Sequence, residues 1–595
     1  MNMKTTIQIG NTTVGTASAQ LLSNNIEVYE NTVPALLSDR LRNPKFSGPA
    51  NPQTGVATEW EPAGNGMQGL ICQLVPGMYL SGTESQLVQH YAENGWAGIL
   101  QAGVPVFAGE ELEIEIWARA RHRPVTVRCE LQLPGQTPFA TPTLLFDVAH
   151  WTRRTVRITG PATDGSVYVK IVIPGDSVIY IDQIHLRPVG QPNVSPELLA
   201  SFDRFPCPVL RFPGGCASCT YHWEHGIGPV HRRPVQDDPV FKYKMYYEFG
   251  TDEYLELCAA KNIRPLITLN STSATPEDAA SWAAYIRSWY IRHNLKVPAA
   301  YFAVGNENYG PWEIGHMTGE MYVAQLREFV PAVRAAYPEA RIMALGEAQA
   351  AGLRTQFTTP WRATVLAQAP DLFDVLVVTR YSWGSDNQSL GEIMQAVAKA
   401  LAEKEADLQQ MAHDIRATGL PKTLGVVEWN LWTRASHNDH AGFFEPNDIR
   451  HCLYAAGLLN VFCRLGEILE IANYYSLINT MGMLHIKNGH VTLSDVVKVF
   501  NLYAPALPGE VLATTVAAPK LVDALFLRSA GQTYGFLVNF NHDQPAEVTL
   551  TGGGPIREAI GLTARQILEP VQEIAVAAQG TTVVVPPLSL IRLTL

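Results

Sequence analysis

The 595 residues exceed one ordinary domain, and a 47% hydrophobic share with 17% charged residues describes a globular chain with large cores rather than a disordered or fibrous one. A formal charge of −11 argues against nucleic acid and anionic membrane as main partners. No apolar run of 18 residues is present, and the start, Met1 to Thr6, lacks the apolar core of a secretory leader, so a cytoplasmic location is expected.

Residues 1–23 alternate loosely, as in Thr6-Ile7-Gln8-Ile9, and read as strands that join a sheet elsewhere. Ile26-Glu27-Val28-Tyr29-Glu30 reads as a short strand ending in a carboxylate. Period-two alternation then dominates, in Leu112–Trp117, Val125–Arg128, Thr155–Ile158 and Val167–Ile171. Gly and Pro turns separate these runs and no helical stretch intervenes, which predicts an antiparallel β-sandwich over residues 46–190. Trp96, Trp117 and Trp151 are candidates for a sugar platform there, although packing is the commoner use of such rings.

After Pro196 helices and strands alternate. Strands are expected from Val209, Arg264, Tyr301, Arg341, Phe373, Thr423 and Ile468, with helices between them. One helix opens at Thr275-Pro276-Glu277-Asp278, which joins a cap residue, a proline at the first helical position and two acids in the first turn. With the Ile26 strand the count is eight, the number that closes a (β/α)8 TIM barrel. Beyond about Gly489 the helices are expected to stop, and runs such as Tyr534–Phe540 and Leu590–Leu595 read as a C-terminal β-sandwich. The predicted fold is therefore α/β: strands of residues 1–23, a first barrel strand within 24–45, a jelly-roll-like insertion at 46–190, a catalytic barrel at 191–489 and a C-terminal sandwich at 490–595.

Two of these strands carry the chemistry. Tyr301-Phe302-Ala303-Val304-Gly305-Asn306-Glu307 and Thr423-Leu424-Gly425-Val426-Val427-Glu428-Trp429-Asn430 each run apolar into a glutamate beside an asparagine. Buried parallel strands deliver such side chains to the carboxyl edge of the sheet, and a pair of carboxylates there points to glycoside hydrolysis. The eight cysteines are scattered in apolar surroundings, which suits reduced thiols. Cys216-x-x-Cys219-x-x-His222 lacks the second CxxC pair of a zinc site, so no metal and no organic cofactor is expected.

The chain resembles glycoside hydrolase family 51, the α-L-arabinofuranosidases. The resemblance rests on Arg211-Phe212-Pro213-Gly214-Gly215-Cys216, the run Tyr221 to Pro229, Phe249-Gly250-Thr251-Asp252-Glu253, and the two glutamate motifs. It implies a retaining mechanism with Glu307 as acid/base and Glu428 as nucleophile, and it implies a sugar subsite formed by Glu30, Arg211, Cys216, Asn306 and Tyr381. The implied substrates are arabinan or arabinoxylan-type glycans with terminal α-L-arabinofuranosyl residues. The implied insertion is carbohydrate-binding-like. Family members are often multimers, so a homo-oligomer is left open. Three positions depart from the family pattern: Cys216 where many members have Asn, Thr379 where His is usual, and Ser476 where Gln is usual. They bear on the sugar rather than on the carboxylate pair. An endo-β-1,4-glucanase of the same mechanism and a non-catalytic glycan-binding protein are the other readings open to the sequence.

Overall fold

The computed structural model describes residues 3–29, 31–64, 68–148, 150–239, 242–346, 361–383, 388–433, 447–479, 481–487, 490–517 and 522–595. Its centre is a closed eight-stranded parallel barrel of β1 (Ser23–Asn25), β2 (Val209–Phe212), β3 (Arg264–Leu269), β4 (Tyr301–Val304), β5 (Arg341–Leu345), β6 (Val375–Trp383), β7 (Thr423–Trp432) and β8 (Leu469–Tyr474). Every described side chain of β4 and all but the two ends of β7 are buried, as strands covered on both faces must be.

Four expected boundaries move. The first barrel strand opens at Ser23, three residues before Ile26, and its ladder continues past the strand's formal end through Ile26 N–H to Arg211 O and Val28 N–H to Pro213 O. Polar Ser23, Asn24 and Asn25 disguise it, because all three are fully buried in the barrel. The strand expected at Phe373–Val378 is β6, which runs on to Trp383, and β7 likewise continues four residues beyond Glu428. Helices do not stop at Gly489: α7, below, follows.

The helices that cover the barrel are α1 (Thr251–Ala260), α2 (Pro276–Arg292), α3 (Gly319–Ala336), α4 (Trp361–Gln368), α5 (Leu390–Ala417), α6 (Ile449–Arg464) and α7 (Val496–Tyr503). In α2 the Thr275 hydroxyl accepts from Asp278 N–H while the Asp278 carboxylate accepts from Thr275 N–H, a closed capping box. Trp282, Ile286 and Trp289 form its buried face. Helix α1 has Gly250 as its N-cap and Thr251 as its first helical residue. Helix α7 hides behind β-branched residues, but Val496, Val499, Phe500 and Tyr503 follow helical spacing and all are buried in the barrel's cluster. The unit packed around the barrel therefore reaches beyond residue 489. No described helix is long and apolar enough to cross a membrane.

Between β1 and β2 the chain forms two five-stranded antiparallel sheets. One orders Thr152–Thr159, Glu111–Ala120, Ser177–Pro188, Glu84–His90 and Leu70–Pro76; the other orders Glu61–Gly64, Trp96–Val106, Gly165–Pro174, Val125–Gln132 and Thr143–Phe146. One apolar cluster draws on both, with Ile114, Ile116 and Ile179 from the first and Ile99, Val127 and Val169 from the second. Trp96 and Trp117 do not share a platform. Trp96 lies on the second sheet under the Arg128 guanidinium, 4.2 Å from its ring centre, whereas Trp117 lies on the first and stacks on His231 at 4.5 Å.

The C-terminal residues form a ten-stranded sheet, and Met3–Ala17 lies within it, antiparallel to Gly509–Val516 and parallel to Ala546–Thr551. Period two decides which side each residue packs on. Leu525 and Leu527 join the barrel's cluster, while Ala524 and Phe526, which alternate with them, join a separate one with Ile7, Ile9 and Ile591.

Candidate active site

The site is assembled from the carboxyl ends of β1, β2, β4, β6, β7 and β8. After β4 the chain turns sharply, because Gly305 and Glu307 both take left-handed φ values, 81° and 42°. Only glycine enters that region freely, so Glu307 is a local strain that the surroundings hold in place. Its carboxylate accepts from Thr379 Oγ1 at 2.5 Å, Trp312 Nε1 at 2.7 Å and Tyr309 Oη at 3.3 Å.

Glu428 is re-aimed by a bulge. Val378 pairs with Val426 but Thr379 pairs with Glu428, so Val427 is an extra residue on β7 just before the glutamate. Arg211 Nη1 donates to Glu428 Oε1, and Tyr381 Oη donates to Oε2 at 2.8 Å. Gly215 is required here for room: a Cβ on it would sit 2.3 Å from Glu428 Oε1.

Arg211 is fully buried, and its other donors reach Thr268 Oγ1 and Asn306 Oδ1, both at 2.8 Å. The guanidinium therefore underpins Glu428 and Asn306 together. Asn306 Nδ2 donates to Glu313 Oε1 at 3.0 Å and lies 3.6 Å from Cys216 Sγ.

Of the residues expected from the sequence, Glu307, Glu428, Arg211, Cys216, Asn306 and Tyr381 converge here; Glu30 lies outside the described residues. The carboxylate of that first strand in the described site is Glu27, which accepts from Gly215 N–H at 2.8 Å and Tyr475 Oη at 2.5 Å. Glu313 was also missed, and with it Tyr475, Trp312 and Tyr309. Of the departures from the family pattern, Thr379 bonds Glu307, while the Ser476 hydroxyl turns to Ile478 O at 3.2 Å.

Four carboxylates thus gather here, and among the described residues Arg211, paired with Glu428, is the guanidinium in contact with them. Burial, then the charge of Glu428, pushes Glu307 up to about 7, and the same two causes push Glu27 up to about 7. Burial, then Glu307, lifts Glu313 to about 7. Burial and the neighbouring carboxylates hold the Cys216 thiol far above its usual range. The arrangement holds Glu428 by a charge-assisted bond while Glu307 keeps a proton near neutrality, which is the division of labour that acid/base chemistry with a carboxylate nucleophile requires.

Cys216, Cys219 and His222 do not gather as a ligand set among the described residues. Cys219 Sγ donates to Glu313 Oε2 at 3.2 Å, and His222 rests against the His225 ring at 5.7 Å. A different trio, Cys216, Glu307 and Glu313, offers ligand atoms within 4.8 Å of one another. One thiol and two carboxylates that already serve as hydrogen-bond partners do not make the four-ligand set of a structural zinc site.

Residues 201–288 match the family model for the α-L-arabinofuranosidase 1 domain, and residues 428–589 match that for the α-L-arabinofuranosidase C-terminal domain. The chain is 26% identical over 312 residues to a probable α-L-arabinofuranosidase C of Aspergillus terreus, covering 50% of this chain and 62% of that protein's length. It is 28% identical over 253 residues to an intracellular exo-α-(1→5)-L-arabinofuranosidase of Acetivibrio thermocellus, covering 39% of this chain and 48% of that protein. Among solved structures, the family 51 arabinofuranosidase of Xanthomonas axonopodis superposes with a TM-score of 0.61 at 22% identity, over 68% of this chain and 91% of that one. The arabinose-bound MgGH51 α-L-arabinofuranosidase superposes with a TM-score of 0.70 at 15% identity, over 99% of each chain. The chain thus shares two domain signatures with α-L-arabinofuranosidases and a fold with structures of family 51.

Proposed function

We propose that the chain is a retaining glycoside hydrolase that releases terminal α-L-arabinofuranosyl residues from arabinan or arabinoxylan-type glycans. The observation that carries this is the unequal environment of Glu307 and Glu428 at one barrel mouth, in a chain whose two matched domain signatures both belong to α-L-arabinofuranosidases. Glu428, paired with Arg211 and Tyr381, attacks the anomeric carbon as a carboxylate. The bond to the leaving oxygen breaks as Glu307 gives that oxygen its proton, and a glycosyl ester forms on Glu428. Loss of the Glu428 charge in the ester lowers the affinity of Glu307 for a proton. Glu307 then takes one from water, the resulting attack at the same carbon frees the sugar, and Glu428 returns as carboxylate.

Glu27, Asn306, Cys216 and Tyr381 form the sugar subsite in this reading, with Arg211 as the support beneath it. Groups that hydrogen-bond particular hydroxyls reject analogues that leave them unpaired, so discrimination among sugars is strong. The two sheets between β1 and β2 are read as an inserted jelly-roll-like, carbohydrate-binding-like sandwich, and the C-terminal sheet as a second sandwich. Their antiparallel order and their own apolar clusters support that reading.

The test is a set of initial rates on aryl α-L-arabinofuranoside, β-glucoside and β-xyloside, with a soluble β-1,4-glucan. The arabinofuranoside is expected to be hydrolysed fastest. Faster cleavage of the glucan with internal scission would replace the sugar assignment with an endoglycanase.

A further inference from the structure

Two adjacent residues of the turn after β4 reach back onto two adjacent residues at its end. Trp312 Nε1 donates to Glu307 Oε2, and Glu313 Oε1 accepts from Asn306 Nδ2. The turn is fastened by Gly310 N–H to Glu307 O at 2.7 Å and Glu313 N–H to Gly310 O at 3.1 Å. Glu313 is 4% exposed, and its second oxygen accepts from Cys219 on the β2 loop. A carboxylate is costly to bury, and among the described residues its hydrogen-bond partners are the Asn306 amide and the Cys216 and Cys219 thiols, none of them a cation.

We propose that Glu313 is a positioning residue of the active site, holding the Asn306 amide in the one orientation that presents it to the sugar. The amide has two faces that differ. Arg211 Nη2 donates to its oxygen, and Glu313 accepts from its nitrogen. Either contact alone leaves a flip that costs one hydrogen bond; both together make the flip cost two, and it would also set the amide nitrogen against a guanidinium. The second N–H of Asn306 faces Cys216 Sγ at 3.6 Å, and the second lone pair of its oxygen remains for a substrate hydroxyl. The same short turn thus clamps the acid/base through Trp312 and its neighbour through Glu313.

The inference rests on the subsite role given to Asn306 above, and a double-mutant cycle separates the two. Kinetics of Glu313→Ala, Glu313→Gln, Asn306→Ala and Glu313→Ala/Asn306→Ala are measured on an aryl α-L-arabinofuranoside. Glu313→Ala is expected to lower kcat/KM about 10- to 100-fold, as directly coupled residues do, and Glu313→Gln, which keeps an acceptor, is expected to stay within about 3-fold of the parent. In the Asn306→Ala background Glu313→Ala is expected to cost less than about 2-fold. Equal losses in both backgrounds, or a Gln variant as impaired as Ala, would overturn the proposal and leave Glu313 a packing residue. Should Glu313→Ala not fold, Glu313→Met, which fills the space without an acceptor oxygen, takes its place. A parent chain inactive on arabinofuranosides but active on another aryl glycoside would defeat the sugar assignment alone, and the same cycle on that substrate still decides the role of Glu313.

Discussion

Two parts of this molecule bury carboxylates, and they do so on opposite terms. Where the two inserted sheets meet the chain after β1, Asp39 accepts from His185 Nδ1 at 2.5 Å, Leu186 N–H at 3.1 Å and Arg187 Nε at 3.2 Å. Burial pushes that carboxyl up, but His185 and Arg187 outweigh it and hold Asp39 below its usual range. At the barrel mouth Glu27, Glu307, Glu313 and Glu428 gather with Arg211 as the guanidinium in contact. Three of the four therefore keep their protons to about 7. A matched carboxylate is structural, because it never changes charge in use. An under-matched one stores a proton that chemistry can move.

The contrast is broken most severely at Glu428, the proposed nucleophile. Glu428→Ala is expected to lower kcat by at least about four orders of magnitude and to regain part of it with added azide, which fills the vacated position. Asp39→Asn, by contrast, is expected to leave kcat within about 3-fold and to lower the melting temperature. Steady-state kinetics and thermal melts of both variants check the pair.

Glu307→Ala comes next. Loss of a general acid costs about 10²- to 10⁴-fold on substrates with poor leaving groups, and far less on dinitrophenyl glycosides, which need little protonation. If the leaving group makes no difference to the loss, Glu307 is not the acid.

The pH dependence of stability sharpens the comparison, because the signs are opposite. Glu307 has a raised carboxyl, so its stabilising contribution is complete below the unfolded value of 4.5 and is lost as pH climbs towards about 7. Asp39 is depressed, so its contribution is complete above 3.8 and is lost as pH falls further. Glu307→Gln is expected to flatten the first slope and Asp39→Asn the second in melting temperatures taken across pH. The smallest effect falls to Thr379→Val. Its hydroxyl lowers the proton affinity of Glu307, so its removal is expected to move the basic limb of kcat/KM upward, with activity kept within about 5-fold.

Much of the barrel could be read from the sequence because apolar runs that end in polar residues mark buried parallel strands. The two glutamates beside asparagines stood out for the same reason. Glu27 did not. Ser23-Asn24-Asn25 looks like a loop, and nothing in the pattern singles out Glu27, whose carboxylate meets Gly215 and Tyr475 only in the fold. Glu313 follows no periodicity, since it sits in a turn that is ordered by contacts with Asn306 and Cys219 from two other positions in the chain. Tyr475 looks like any core aromatic until the structure sets its hydroxyl on Glu27. The bulge at Val427 is equally silent, because a strand with one extra residue has the same composition as one without it.

Proton NMR of the first-formed sugar tests the central claim most directly. The account has Glu428 displaced by water at the carbon it attacked, so cleavage of an aryl α-L-arabinofuranoside yields α-L-arabinofuranose first, with the β anomer growing in only by mutarotation. Appearance of the β anomer first would mean a single displacement, with Glu428 activating water rather than bonding to the sugar, and would contradict the account.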